Sequence, residues 1–120
     1  MPSHRLTPAR RIRRREDFQR VFDRGRRIHG RYLTLVAAPN GSPQDRLGIV
    51  ASKKLGGAVM RNRAKRLIRE IFRRHQDDGP GRPGTDIVVI PRPGMPDVSY
   101  GMLAKDFETS LGRVPRAPNS

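Results

Sequence analysis

Between Arg61 and Arg74 the chain sets seven cations, Arg61, Arg63, Lys65, Arg66, Arg69, Arg73 and Arg74, against one carboxylate, Glu70. Guanidinium groups fork onto phosphate oxygens, so arginines at this density point to recognition of a phosphodiester backbone. At about 100° per residue, Met60, Ala64, Leu67, Ile68, Ile71 and Phe72 fall in one arc of a helix, and Asn62, Lys65, Arg66, Arg69 and Arg73 in the opposite one. One face packs and the other meets a ligand. A merely solvated face mixes acids with bases, whereas here the i, i+4 pairs Lys65/Arg69 and Arg69/Arg73 repel each other. Arg61 and Arg63 are expected in or near the first turn, where the helix dipole disfavours cations and draws in phosphate. Local rules broken without compensation mark a functional site.

The remaining reactive residues form no catalytic set. His4, His29 and His75 fall in an expected arm, a loop and a helix end, without metal-ligand spacing. Glu16/Asp17 diverge on a helix, and Asp77/Asp78 lie in a Pro/Gly-rich linker, so neither pair reads as a two-metal site. No Gly-rich phosphate loop, Ser/His/Asp set or redox motif is present, and zero cysteines exclude disulfides and thiolate metal sites. The residues therefore predict no catalytic side chain and no organic cofactor.

Twenty-six Lys and Arg against eleven Asp and Glu leave a net charge of +15 on 120 residues. Such a chain repels itself until a polyanion joins it, and counterion release then drives binding. A membrane partner fits less well, because no helix pairs these cations with a Trp-rich apolar face. The basic first residues lead into no apolar run of signal-peptide or membrane-spanning length, so a soluble, cytoplasmic protein is expected.

Along the chain, residues 1–15 read as a basic arm, residues 16–111 as one folded domain and residues 112–120 as a disordered tail. A first helix is predicted from Glu16, with Phe18, Val21 and Phe22 on one face and Gly25 as its C-terminal cap. Arg31–Ala38 and Arg46–Lys53 read as two strands of a hairpin. The basic helix follows Gly56-Gly57 and runs to about His75. Ile87-Val88-Val89-Ile90, without alternation, reads as an interior strand covered on both faces. Ser99 is placed to cap a last helix bearing Tyr100, Leu103, Ala104, Phe107 and Leu111. The order is helix-strand-strand-helix-strand-helix, a single small α+β domain. Phe72 and Phe107 are expected in its core, and Phe18 and Phe22, read on their own, are core contacts too.

Three segments carry a resemblance to a known family. Glu16-Asp17-Phe18-Gln19-Arg20-Val21-Phe22, Leu47-Gly48-Ile49-Val50-Ala51-Ser52-Lys53-Lys54-Leu55-Gly56 and, above all, Ala58-Val59-Met60-Arg61-Asn62-Arg63-Ala64-Lys65-Arg66-Leu67-Ile68-Arg69-Glu70 resemble the protein subunit of bacterial ribonuclease P, in order and spacing, from about Leu6 to Leu111. The resemblance implies a mostly antiparallel central sheet with a left-handed βαβ crossover, and a protein that assists a catalytic RNA in cutting the 5′ leader from precursor tRNA. The implied partners are that RNA subunit and precursor tRNA, with no membrane and no protein partner, and the implied metal is Mg²⁺ held mainly by the RNA. Carried over residue by residue, Arg61, Asn62, Arg63, Lys65, Arg66 and Arg69 would face the RNA subunit. Phe18, Phe22, Val36, Val50 and Lys53 would line a cleft for the single-stranded leader. Val36 and Val50 stand where the family can carry tyrosine and serine, so base-specific hydrogen bonds are weakened or absent here.

Two other readings share the charge and size. A structural RNA-binding protein, such as a ribosomal component, would need no groove for a mobile single strand. A helix-turn-helix DNA binder requires a helix and short turn before the basic helix, where this chain has a strand and Gly-Gly.

Overall fold

The computed structural model describes residues 10–75 and 84–114. Its elements are α1 (Arg15–Arg24), β1 (Arg26–His29), β2 (Leu33–Pro39), β3 (Arg46–Ile49), α2 (Ala58–Arg74), β4 (Thr85–Pro91) and α3 (Tyr100–Gly112), with 3-10 turns at Lys53–Leu55 and Met95–Asp97. Asp77, Asp78, His4 and most of the proposed arm and tail lie outside the described residues.

The four strands form one sheet in the order β1-β2-β4-β3. β1/β2 and β2/β4 are antiparallel, and β3/β4 is parallel, so the chain crosses over through α2 between β3 and β4. The expected hairpin of the second and third strands is therefore not formed, because β4 sits between them. The physical reason lies in burial. β4 is buried at every position but Ile90, and a strand apolar on both sides takes an interior place, with neighbours on its two edges and helices on its two faces. β1 was missing from the sequence reading altogether. It is four residues long, only Ile28 is even partly covered, and its arginines suit a sheet edge that must not pair with another chain.

Alternation along the strands sends side chains to two separate cores. Leu33, Leu35, Leu47, Ile87 and Val89 face α2 and α3 and pack with Ala64, Ile68, Ile71, Phe72, Leu103, Phe107 and Leu111. Val36, Ala38 and Val88 face α1 and pack with Val21 and Ile12. Phe72 and Phe107 are fully buried, as expected. Ser99 caps α3, its hydroxyl accepting from the Met102 amide.

The packed unit is wider than residues 16–111. Arg11 forms a parallel bridge with Leu47, the Ile12 amide donates to the Leu47 carbonyl at 2.9 Å, and Ile12 is buried. At the other end, Val114 closes the larger core. Gly25 does end α1, but in extended rather than left-handed conformation. Glycine is needed there because a Cβ would come within 2.3 Å of the Val21 carbonyl oxygen and 2.9 Å of Val36 Cγ1.

Two carboxylates fix the helices to the sheet. Asp86 on β4 is shut off from solvent and accepts from Arg46 on β3 at 2.7 and 2.6 Å, from Asn40 at 2.9 Å and from Arg20 on α1. Burial pushes its carboxyl up, but the hydrogen bonds from Arg46 and Asn40 and the charges of Arg46 and Arg20 outweigh that and hold it below the usual range. Asp106 on α3 accepts the amides of Arg31, Tyr32 and Leu33 at 2.9, 2.8 and 3.1 Å, locking the β1–β2 turn.

Candidate nucleic-acid interface

α2 begins at Ala58, three residues ahead of Arg61, because Gly56 with φ +132° and Gly57 turn the chain into it. Arg61 therefore closes the first turn and Arg63 lies in the second, where the dipole has faded. Arg61 thus keeps the expected place at the N-terminal turn, and Arg63 lies beyond it. The positive charge of this helix is carried along its flank.

That flank is open. Asn62, Arg63, Arg66 and Arg69 are exposed, and Arg61 and Lys65 are half-buried. Ala64, Ile68, Ile71 and Phe72 are buried beneath, while Met60 and Leu67 reach the core's margin. Glu70 spends its charge at the far end: it pairs with Arg73 and with Arg74 at 2.9 Å, and the Arg73 hydrogen bond, working against burial, holds its carboxyl below the usual range. Among the described residues no carboxylate pairs with Arg61, Lys65, Arg66 or Arg69. Arg63 donates Nε to the Pro96 carbonyl at 3.1 Å, which orients its guanidinium.

On the opposite face of the sheet, Phe18, Phe22, Val50 and Ile90 are all partly buried around Val21, Val36 and Val88. Phe18 and Phe22 are thus neither closed core nor free surface. Phe18 lies on Gly48, where a Cβ would come within 2.7 Å of its Cε1. Arg27 of β1 hangs over the Phe22 ring, 5.9 Å from its centroid. Val36 is the exception among the expected cleft residues. At 1 % exposure it lies beneath α1 and presents no surface to a leader, because it belongs to an inner strand on the side that α1 covers. Ile90, on the same face of neighbouring β4, is the side chain that reaches the open part. It was missed because the run Ile87–Ile90 reads as uniformly interior. Strand alternation, once the register is known, puts it on the face of Val36 and Val88, opposite Thr34. Lys53 is exposed on the turn after β3.

The two regions meet at the β3 edge. A groove of about 150 Å³ is lined by Arg11, Ile12, Phe18, Leu47, Gly48, Ile49, Lys65 and Arg69. It joins the polar flank of α2 to the aromatic surface of α1, with the described end of the arm forming one wall. Arg11 and Ile12 were not singled out in the sequence, because an arginine-rich terminus looks alike at every position. Burial, reinforced by the charge of Arg11, lowers the pKa of Arg69. No group of three or more His, Asp or Glu able to hold a metal occurs among the described residues; the cations lining the groove, Arg11, Lys65 and Arg69, suit an anion. No helix among them is long and apolar enough to cross a membrane.

A family profile for ribonuclease P matches residues 6–115. The ribonuclease P protein component of Syntrophomonas wolfei is 37% identical over 97 residues, covering 81% of this chain and 80% of that protein. The corresponding protein of Acidothermus cellulolyticus is 36% identical over 118 residues, covering 96% and 97%. Among solved structures, the ribonuclease P protein of Thermotoga maritima superposes with a TM-score of 0.77 at 37% identity, covering 88% of this chain and 97% of its own. That of Staphylococcus aureus gives 0.74 at 35%, covering 88% and 96%. With the sequence motifs, the sheet order and these matches in agreement, the chain belongs to the ribonuclease P protein family, the protein components of an endoribonuclease whose catalysis resides in RNA.

Proposed function

We propose that this chain assists its RNA subunit in removing the 5′ leader of precursor tRNA by holding both RNAs at once. The polar flank of α2, Arg61, Asn62, Arg63, Lys65, Arg66 and Arg69, meets the RNA subunit. Phe18, Phe22, Val50 and Ile90, with Lys53 at the margin, receive the leader, and Val36 supports them from below. The observation that carries the reading is the continuity of the two surfaces through the β3-edge groove. A structural RNA-binding protein has no need to link a cationic helix to a strip of half-buried aromatics.

The chemistry follows from what each side supplies. Hydrolysis of a phosphodiester needs metal-activated water and charge stabilisation in line with the leaving oxygen. We assign the Mg²⁺ to the RNA subunit. The protein's share is to offset phosphate repulsion between two polyanions and to position the leader by stacking that tolerates any base, since no side chain on this strip donates a base-specific hydrogen bond. A role in precursor-tRNA processing would place the complex in the cytoplasm.

A cleavage assay with each component omitted in turn tests the reading. Protein with cognate RNA subunit and Mg²⁺ should give one cut at the 5′ end of mature tRNA, with the protein's benefit greatest at low Mg²⁺, where repulsion is least screened. Turnover by protein alone, or no effect of protein at low Mg²⁺, would overturn it.

A further inference from the structure

We propose that His29, on the edge strand β1, reads one base of the leader, its Nε2–H selecting a keto base, uracil or guanine, over an amino base, cytosine or adenine. Its role rests on the leader-strip reading above and adds what that strip lacks, a donor able to tell bases apart.

Strand register puts His29 beside the strip. On the α1 face, Arg27, Val36, Val88 and Gly48 form one row across the sheet. α1 covers that row, with Phe18 on Gly48 at one end and Phe22 under Arg27 at the other. Two residues away on each strand runs a second row, His29, Thr34, Ile90 and Val50. His29 pairs with Thr34 and Thr34 with Ile90, and the Val50 amide donates to the Val89 carbonyl at 3.0 Å, which carries Val50 to the side of Ile90. The second row lies on the side of the first away from Asp86, to which Arg20 ties α1, so the helix leaves it open. Ile90 and Val50 are half-buried there and His29 is exposed. A base resting on Phe22 and Ile90 therefore has His29 as its neighbour at the β1 end, one strand repeat of about 7 Å from Arg27.

Thr34 fixes what His29 offers. Its hydroxyl lies 3.4 Å from His29 Nδ1, and Thr34 is only 6 % exposed. Among the described residues the imidazole is the one partner of that hydroxyl. Accepting from an Nδ1–H would leave the buried hydroxyl proton unmet, so the hydroxyl donates to Nδ1. The ring proton then sits on Nε2, on the edge turned away from Thr34, and no described group accepts from it. An outward N–H donates to O4 of uracil or O6 of guanine, and meets the amino groups at the same positions of cytosine and adenine donor against donor. The ring packs into neither core, so the fold does not require an imidazole here.

The test is the competitive kcat/KM of the holoenzyme on precursor tRNAs whose leader carries each of the four bases in turn at each position. Wild type should favour uracil and guanine at one position by roughly three- to tenfold, the worth of one neutral hydrogen bond. His29→Ala should remove that preference with Tm unchanged. His29→Gln, whose amide both donates and accepts, should also remove it while keeping the affinity for all four leaders. Thr34→Val, equal in shape, should weaken the preference, because either ring nitrogen can then carry the proton. No keto preference in wild type, a preference that survives His29→Ala, a loss equal for all four bases, or a His29-dependent preference for adenine or cytosine overturns the proposal. If Phe22→Ala removes the advantage of leader-bearing over leaderless substrate while His29→Ala alters no preference, this proposal fails and the leader strip stands. Equal binding of both substrates by the wild-type holoenzyme sinks the strip and the role of His29 together.

Discussion

Asp86→Asn should loosen α1 from the sheet and remove most of the acid-side loss of stability. The side chain is inaccessible to solvent and holds Arg46, Arg20 and Asn40 together. Asparagine keeps the shape but neutralises the charge and turns one acceptor into a donor facing guanidinium groups. Breaking a buried ion pair on one side costs roughly 3–5 kcal/mol. The arginine side chains here are 25% and 30% exposed and regain some water, so the lower end, about 3 kcal/mol, is expected. In a domain of this size that is roughly a 12 °C fall in Tm. Asp86 is held below the usual carboxylate range when folded, so its contribution is complete above that range and is lost as pH falls through the folded-state pKa. The wild-type protein should lose this stability below about pH 4, and the variant should lack that segment of the curve. Thermal unfolding from pH 7 downward for both proteins is the assay. A variant within about 0.5 kcal/mol of wild type, or one with the same acid profile, would refute the assignment of Asp86 as the tie between helix and sheet.

Arg66→Ala should leave Tm unchanged, because the side chain is exposed, while lowering the salt slope of binding to the RNA subunit by about one; salt-dependent affinities check both. Phe22→Ala should cost roughly 1–3 kcal/mol of affinity for leader-bearing over leaderless precursor tRNA. Phe72→Ala, at the buried end of the scale, should instead cost roughly 3–5 kcal/mol of folding stability, as measured by denaturant unfolding. Gly48→Ala should displace Phe18, whose ring atoms lie 2.7 and 2.9 Å from the new Cβ, and should reduce leader discrimination by the same assay; unaltered discrimination would remove Phe18 from the leader strip.

The basic helix was the most legible part of this chain, since its period of burial is written in Ala64, Ile68, Ile71 and Phe72, and α3 was nearly as plain through Ser99, Leu103 and Phe107. Strand pairing was not legible. Which strand lies beside β2 depends on long-range competition for an interior position, and nothing in residues 31–53 reveals that residues 85–91 will take it. β1 escaped notice because an edge strand of arginines has no apolar alternation to display. The site was legible where charge carries it, on α2, and illegible where depth carries it. Val36 and Ile90 are both aliphatic strand residues on one face, and only the footprint of α1 makes one buried and the other open. The resemblance to ribonuclease P proteins implied a cleft on α1 and the sheet, and burial decides which of the side chains there have surface to offer.

The position of β4 between β2 and β3 sets an order on synthesis. Residues 26–49 leave the ribosome well before β4, and β1 can fold back on β2 at once, but β3 has no strand partner within the sheet until residue 91 has been made. α2 emerges in the interval, its basic flank ready and its apolar arc without β4 or α3 to cover it. The nascent protein thus exposes its cationic helix before it is able to fold completely, and the last strand to be translated is the one that closes both cores at once.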